Sequence, residues 1–279
     1  MRGILRSDIY RFRKAKMLLL LIIVLMIIRA MSIYIMEPLT YISGADSDIS
    51  YARVCGLLKQ NPDIYSLDEQ REYLQTLDWY KTDLSMYADS IEIWYFMIYI
   101  VGFAVTSDIS NRTLKNTISA GASRSTYFMA KVCFTLIASV IFLFADSVFT
   151  YLANLIYTAP GNSAGFIMMI AAAIRSIPVI FFFTGLLFLI AFVFKKSSWF
   201  YVVSIPFMIL YPIILDALST LIRGLPRFFY SYGPAYMRSA VVLSSDTGYI
   251  CTAYFLCIVY TVITLLISYR LFARQEVMQ

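Results

Sequence analysis

The chain has 279 residues, 60% of them apolar or aromatic and only 14% charged, with a net charge of +6. It contains no histidine, which removes the zinc ligands of an intramembrane metalloprotease and the Ser–His pair of a rhomboid-like protease. No G-x-x-x-x-G-K-[ST] loop is present either, so the chain has no P-loop ATP site of its own. Its apolar surface is expected to be buried in lipid and between helices. Helices satisfy their own backbone polar groups where there is no water, and the short alternating strands of a membrane barrel are missing. The expected fold is an all-α polytopic membrane protein in one permease domain, 1–279. In a soluble protein a charge of +6 would point to nucleic acid; here its distribution is more informative, and no nucleic-acid partner or metal site is expected.

Residues 1–16 place Leu5, Ile9 and Phe12 at helical spacing among Arg2, Arg6, Arg13 and Lys14. This predicts an interfacial elbow helix, apolar side toward the bilayer and basic side toward anionic lipid. A plain basic flank that only sets orientation is the simpler reading, and the two are compatible. Six apolar stretches follow, at 17–36, 92–107, 132–157, 166–194, 199–222 and 249–270; about 20 such residues cross a bilayer core. The first is too long for the core of a signal peptide and no clean small-x-small site follows it, so a retained span is expected.

Residues 37–91 are the one large piece between spans, predicted to be an extracellular helical cap. Over 37–92 eleven Asp or Glu oppose four Lys or Arg, a net of −7. Asn61-Pro62 reads as a turn, Ser66 with Glu69 as a capping box, and Leu67, Leu74, Leu77, Leu84 and Ile91 as one face of a helix. The acidic surface either attracts cations or is a solvated face supporting that helix. Gly161 and Gly165 allow close helix contact or, with Pro160, an outer turn. Pro178, Pro206 and Pro212 predict bending in spans four and five. Residues 223–248 carry Gly224, Pro226, Gly233 and Pro234 amid aromatic residues, which suits a re-entrant or interfacial outer segment.

Fourteen of the 23 basic residues lie before span one, between spans two and three, between spans four and five, and after span six. The positive-inside bias places those segments, and both termini, in the cytoplasm. Arg223, Arg227 and Arg238 fall on the other side and are too few to overturn it. Cys55, Cys133, Cys251 and Cys257 form no disulfide framework and read as packing residues. Four charges fall inside the spans, Arg29, Asp146, Arg175 and Asp216, all between the midplane and the outer interface. Isolated charges there are costly, so Arg29 or Arg175 is expected to pair with Asp146 or Asp216 around an outer-facing cavity. Snorkelling to the interface is the alternative, above all for Arg175 and Asp216.

The most specific local signal is residues 103–131, which include a cytoplasmic link at 108–131. Asp108 or Ser110 can cap a short helix, in which Leu114 and Ile118 share a side and Asn111, Arg112 and Lys115 are exposed. Gly121 is a natural stop, and Ser123 can cap the next helix with Arg124, Tyr127 and Lys131 in its first turns. Phe103, Asp108, Thr113, Leu114, Gly121, Ser123, Arg124 and Lys131 resemble the pattern of the permease subunits of type-2 ABC (ATP-binding-cassette) exporters. There an aromatic residue and an acid end the second span, a Gly-Thr-Leu-like helix follows, and a Lys opens the third. Asp108 stands for the commoner Glu, and Arg112 where Gly is frequent.

The resemblance implies a division of labour. The permease works as a homodimer or heterodimer in the bilayer, and separate cytoplasmic ATPase subunits supply ATP and Mg²⁺ chemistry. This chain holds no cofactor and no catalytic residue. The link acts as a coupling helix in a cleft of the ATPase, with Leu114 and Ile118 as its ridge and Asp108, Asn111, Arg112, Thr113, Lys115 and Arg124 around it. The nearest likeness is to small bacterial plasma-membrane permeases that export or expel antimicrobial or amphipathic peptides; drug and lipid exporters share the plan. A secondary transporter or channel is the alternative, and a membrane sensor or scaffold without transport is another.

Overall fold

A computed structural model describes residues 1–14, 16–42, 87–88, 92–110, 113–157, 165–194, 196–221, 234–243 and 247–274. Most of the expected cap, Asn111 and Arg112 of the link, and 222–233 lie outside these residues, as does the side chain of Asp216. All regular structure among the described residues is helical. The elements are α1 (Arg2–Lys14), α2 (Lys16–Ile42), α3 (Glu92–Val101), α4 (Ser107–Ser110), α5 (Thr113–Ser119), α6 (Arg124–Tyr157), α7 (Phe166–Phe194), α8 (Ser197–Leu221), α9 (Pro234–Leu243) and α10 (Thr247–Arg274). A π-helical turn, Gly102–Thr106, joins α3 to α4, so the three segments form one rod.

Among the described residues four helical stretches are long and apolar enough to cross a membrane: Glu92–Ser110, Arg124–Ala153, Phe166–Phe194 and Thr247–Arg274. The α2 helix contributes a shorter apolar run, Leu19–Met31, and α8 is a 25-residue helix over the fifth expected stretch. The ends of the apolar stretches differ from those of the helices. The α2 helix continues to Ile42, beyond its apolar stretch, and α6 begins at Arg124, ahead of the apolar stretch at 132–157 and where the Ser123 cap predicts. Hydropathy marks where lipid ends, whereas a helix ends where its backbone groups find other partners. At α6 that partner is the Ser123 hydroxyl, which accepts the Thr126 N–H at 3.1 Å, an N-cap.

The α7 helix is the central post, with α6 and α10 packed most extensively on it and α8 and α9 alongside. Small residues permit the closest approaches. A Cβ on Gly185 would collide with the Thr264 hydroxyl of α10, and one on Gly102 would fall 2.6 Å from Tyr201 Cζ of α8. Phe128, Phe188, Phe192 and Phe272 interlock α6, α7 and α10, with ring centroids 5.2–6.1 Å apart. On its other side α6 packs against α1, α2 and α3. Leu19, Ile23, Ile27 and Met31 of α2, and Phe255, Ile258, Val262 and Leu266 of α10, are exposed. They form the apolar stripes a bundle presents to lipid or to another membrane helix. The α6 helix therefore touches both the N-terminal helices and the central post, and charges gather at its two ends.

Candidate functional site

The link between the α3–α4 rod and α6 is a short helix seated on the bundle. Leu114 is buried in the chain's own core and Ile118 packs against that core. Lys115, Asn116 and Ser119 are exposed. The apolar ridge expected to meet a partner thus anchors α5 to this chain, and the polar side is what faces outward. The α5 helix stops at Gly121, whose φ of +92° is in the left-handed region that glycine enters without strain. The Gly121 N–H bonds the Ile118 carbonyl at 3.0 Å and the Ala122 N–H the Thr117 carbonyl at 3.3 Å, the paired bonds of a Schellman stop. Arg124 Nη1 donates to the Ala273 carbonyl, tying the link's end to α10.

Asp108 does not cap α5. It lies inside α4, buried at 2% exposure, and its oxygens are taken by cations. Arg11 Nη1 of α1 reaches Oδ1 at 2.6 Å, and Lys131 Nζ of α6 reaches Oδ2 at 2.6 Å. The Tyr127 hydroxyl also donates to Oδ2, at 3.0 Å. A buried carboxylate gains far more from cations than from a solvated backbone N–H, which is why the capping expectation fails here. Lys131, 1% exposed, has a second acid: its Nζ is 2.7 and 2.8 Å from the two oxygens of Asp8 in α1. Arg11 is also 3.6 Å from Asp8 Oδ1 and lies over the Phe103 ring at 5.2 Å. Burial pushes the Asp8 carboxyl above the ordinary carboxylate range, and Lys131 and Arg11 pull it back. Two acids and two bases thus fasten α1, the end of the α3–α4 rod and the start of α6 at one point, the base of the link. At the same place Ser110 Oγ accepts the Ser197 N–H at 3.3 Å and Thr106 Oγ1 bonds Ser197 Oγ at 3.2 Å, adding the start of α8.

The other end of α6 holds a second group. Arg29 Nε of α2 donates to Thr150 Oγ1 at 3.1 Å and stands 4.0 Å from Asp146 Oδ1; Arg29 and Asp146 are 4% and 0% exposed. Glu92 at the start of α3 and Arg238 of α9 are also buried, and the charges of Arg29, Asp146 and Arg238 all act on Glu92. Arg238 sits over the rings of Tyr87 (4.7 Å) and Trp94 (5.8 Å). The Ala88 carbonyl accepts from Arg238 Nη1 at 3.5 Å and Ser239 Oγ at 3.1 Å. Arg175 is not in this group: it is exposed, and its Nη1 donates to the Val242 carbonyl at 3.4 Å.

Sequence reading passed over Asp8, Glu92, Tyr87 and Arg238. Asp8 was legible as the one acid within a run of basic residues. Arg238 carried no such signal, because its segment reads as re-entrant or interfacial.

The chain is thus a helical membrane protein with a short link helix fastened under its core, and its sequence matches the family described as ABC-2 family transporter protein over residues 2–277. It belongs to that family. No curated protein matches the chain.

Proposed function

We propose that the chain is the membrane subunit of an ATP-driven exporter, with six spans and both termini cytoplasmic, working as a dimer with separate ATPase subunits that bind ATP and Mg²⁺. The family membership supports the class. The observation that carries the mechanism is the cluster of Asp8, Arg11, Asp108 and Lys131 directly at the base of α5. A displacement of α5 by an ATPase reaches α1, the α3–α4 rod and α6 together, because buried charge-assisted contacts resist separation. In this reading Lys115, Asn116 and Ser119 meet the ATPase, with Asn111, Arg112, Thr113 and Arg124 flanking, while Leu114 and Ile118 hold α5 in place. The cargo is an amphipathic or antimicrobial peptide or another hydrophobic compound, and the membrane a bacterial plasma membrane; both rest on resemblance to small bacterial permeases.

Purification with native partners tests this. An ATPase should co-purify and hydrolyse ATP faster with cargo present. Lys115→Glu with Ser119→Arg should abolish co-purification while the protein still inserts. Retention of the partner by that variant would remove the docking assignment, and absence of any ATPase from the wild-type complex would favour a secondary transporter, channel or scaffold. An impermeant thiol reagent labelling Cys55 on intact cells checks the orientation; protection until lysis would reverse it.

A further inference from the structure

The charge group at the far end of α6 plays no part in the coupling described above, and its hydrogen bonding is incomplete. Arg29 (4% exposed) and Glu92 (3% exposed) are sealed from solvent. Arg29 spends Nε on Thr150, but its Nη2 finds no protein acceptor, and Glu92 Oε2 finds no protein donor. Their helices, α2 and α3, pack on each other, and Arg29 is the charge that acts most strongly on Glu92, ahead of Asp146 and Arg238. A buried donor and a buried acceptor, each left without a protein partner, carry the full desolvation cost of those groups.

What fits between them follows from hydrogen-bond chemistry: Arg29 Nη2 is a donor and Glu92 Oε2 an acceptor. A group between them must accept from Nη2 and donate to Oε2, which water does. Phe96, one turn along α3 from Glu92, stacks on Phe142, one turn along α6 from Asp146, at 4.0 Å and 5°. This aromatic layer lies one turn nearer α1 than the charges. Tyr87 lies under the Arg238 guanidinium, at 4.7 Å. Tyr87 is 0% exposed, with its hydroxyl on the Leu143 carbonyl at 3.4 Å.

The geometry points to a buried water-binding site between Arg29 Nη2 and Glu92 Oε2 that links α2 to α3. Such a bridge lets α2 and α3 adjust their separation while Arg29 keeps Asp146 and Thr150. Water also satisfies charges that a membrane interior would otherwise expel.

X-ray-generated hydroxyl radicals, which form on bound water in place, test the site on the full chain in lipid nanodiscs. Tyr87 should be labelled many-fold above Phe188, which is equally buried at 0% exposure. A bulk radical scavenger should quench labelling of Met1, 53% exposed, and leave that of Tyr87. Glu92→Leu should lower Tyr87 labelling several-fold, whereas Glu92→Gln, which still bonds water, should keep it. Three results would overturn the site: Tyr87 labelled no more than Phe188, Tyr87 quenched in parallel with Met1, or equal labelling in wild type and Glu92→Leu. The first two need only the wild-type protein, so misfolding of the Leu variant does not shelter the inference.

Discussion

Two charge groups lie along α6, each with two acids and two bases among the described residues, and their contacts differ. At the basic end Lys131 lies 2.6–2.8 Å from oxygens of Asp8 and Asp108, and Arg11 holds Asp108 at 2.6 Å. At the far end the Arg29–Asp146 separation is 4.0 Å, and Arg29 Nη2 and Glu92 Oε2 have no protein partner. Buried ion pairs repay their desolvation only when geometry and additional hydrogen bonds are good. The basic end meets that condition and is a fastening. The Arg29–Asp146 contact, at 4.0 Å, is looser. In the function proposed above, force enters at the more tightly bonded group.

The largest effect should come from breaking the fastening. Lys131→Met leaves Asp8 and Asp108 buried with Arg11 alone, and removal of one partner from a buried ionic network costs about 3–5 kcal/mol. Thermal unfolding in nanodiscs should show it, and adding Asp8→Asn should restore part of the loss. If Arg29→Met destabilises as much as Lys131→Met, the two ends are not distinct in the way described.

Next in size is Gly102→Ala in the π turn that carries Asp108 toward α1. Its methyl would overlap the Tyr201 ring, an overpacking that costs about 1–3 kcal/mol. Tyr201→Leu should relieve most of this in the double variant. An unchanged melting temperature for Gly102→Ala alone would show that α8 yields freely and that the basic end is less rigid than its contacts imply.

The Arg29–Asp146 pair should couple weakly. A double-mutant cycle with Arg29→Met and Asp146→Asn should return an interaction energy toward the low end of the roughly 0.5–3 kcal/mol range for contacting residues. The Lys131–Asp108 cycle should return a larger one. Equal values would sharpen the comparison in the other direction, with the far end bonded more firmly than 4.0 Å implies. Smallest is Lys115→Glu on the exposed side of α5, within about 0.5 kcal/mol of wild type. Only its effect on partner-stimulated ATP hydrolysis should be large.

Much of this architecture is legible in the residues. Apolar runs locate the helices, because about 20 apolar residues in a row have few other fates in water or lipid. The stop at Gly121 and the cap at Ser123 are local: each depends on backbone groups within a few residues. Phe103, Asp108 and Lys131 stand out by their order along the chain, and the structure brings them to one place. What no local rule specified is the partner of each charge. Asp8 reaches Lys131 across 123 residues, and Arg29 reaches Thr150 across 121. Arg238 falls in a segment that reads as re-entrant or interfacial, yet lies 1% exposed over Tyr87 and Trp94.

The side of α5 that faces out was undetermined for the same reason. Leu114 and Ile118 share a side by periodicity, but periodicity does not say whether that side meets a partner or the chain's own bundle. The sequence by itself determined the solvent, the helices and their local stops, since hydropathy and capping act over one turn or one span. Only the tertiary structure decided which charges share a low-dielectric interior and which side of the link is free. Those depend on the approach of α1, α2 and α9 to the surface of α6 and α7, which no stretch of sequence encodes alone.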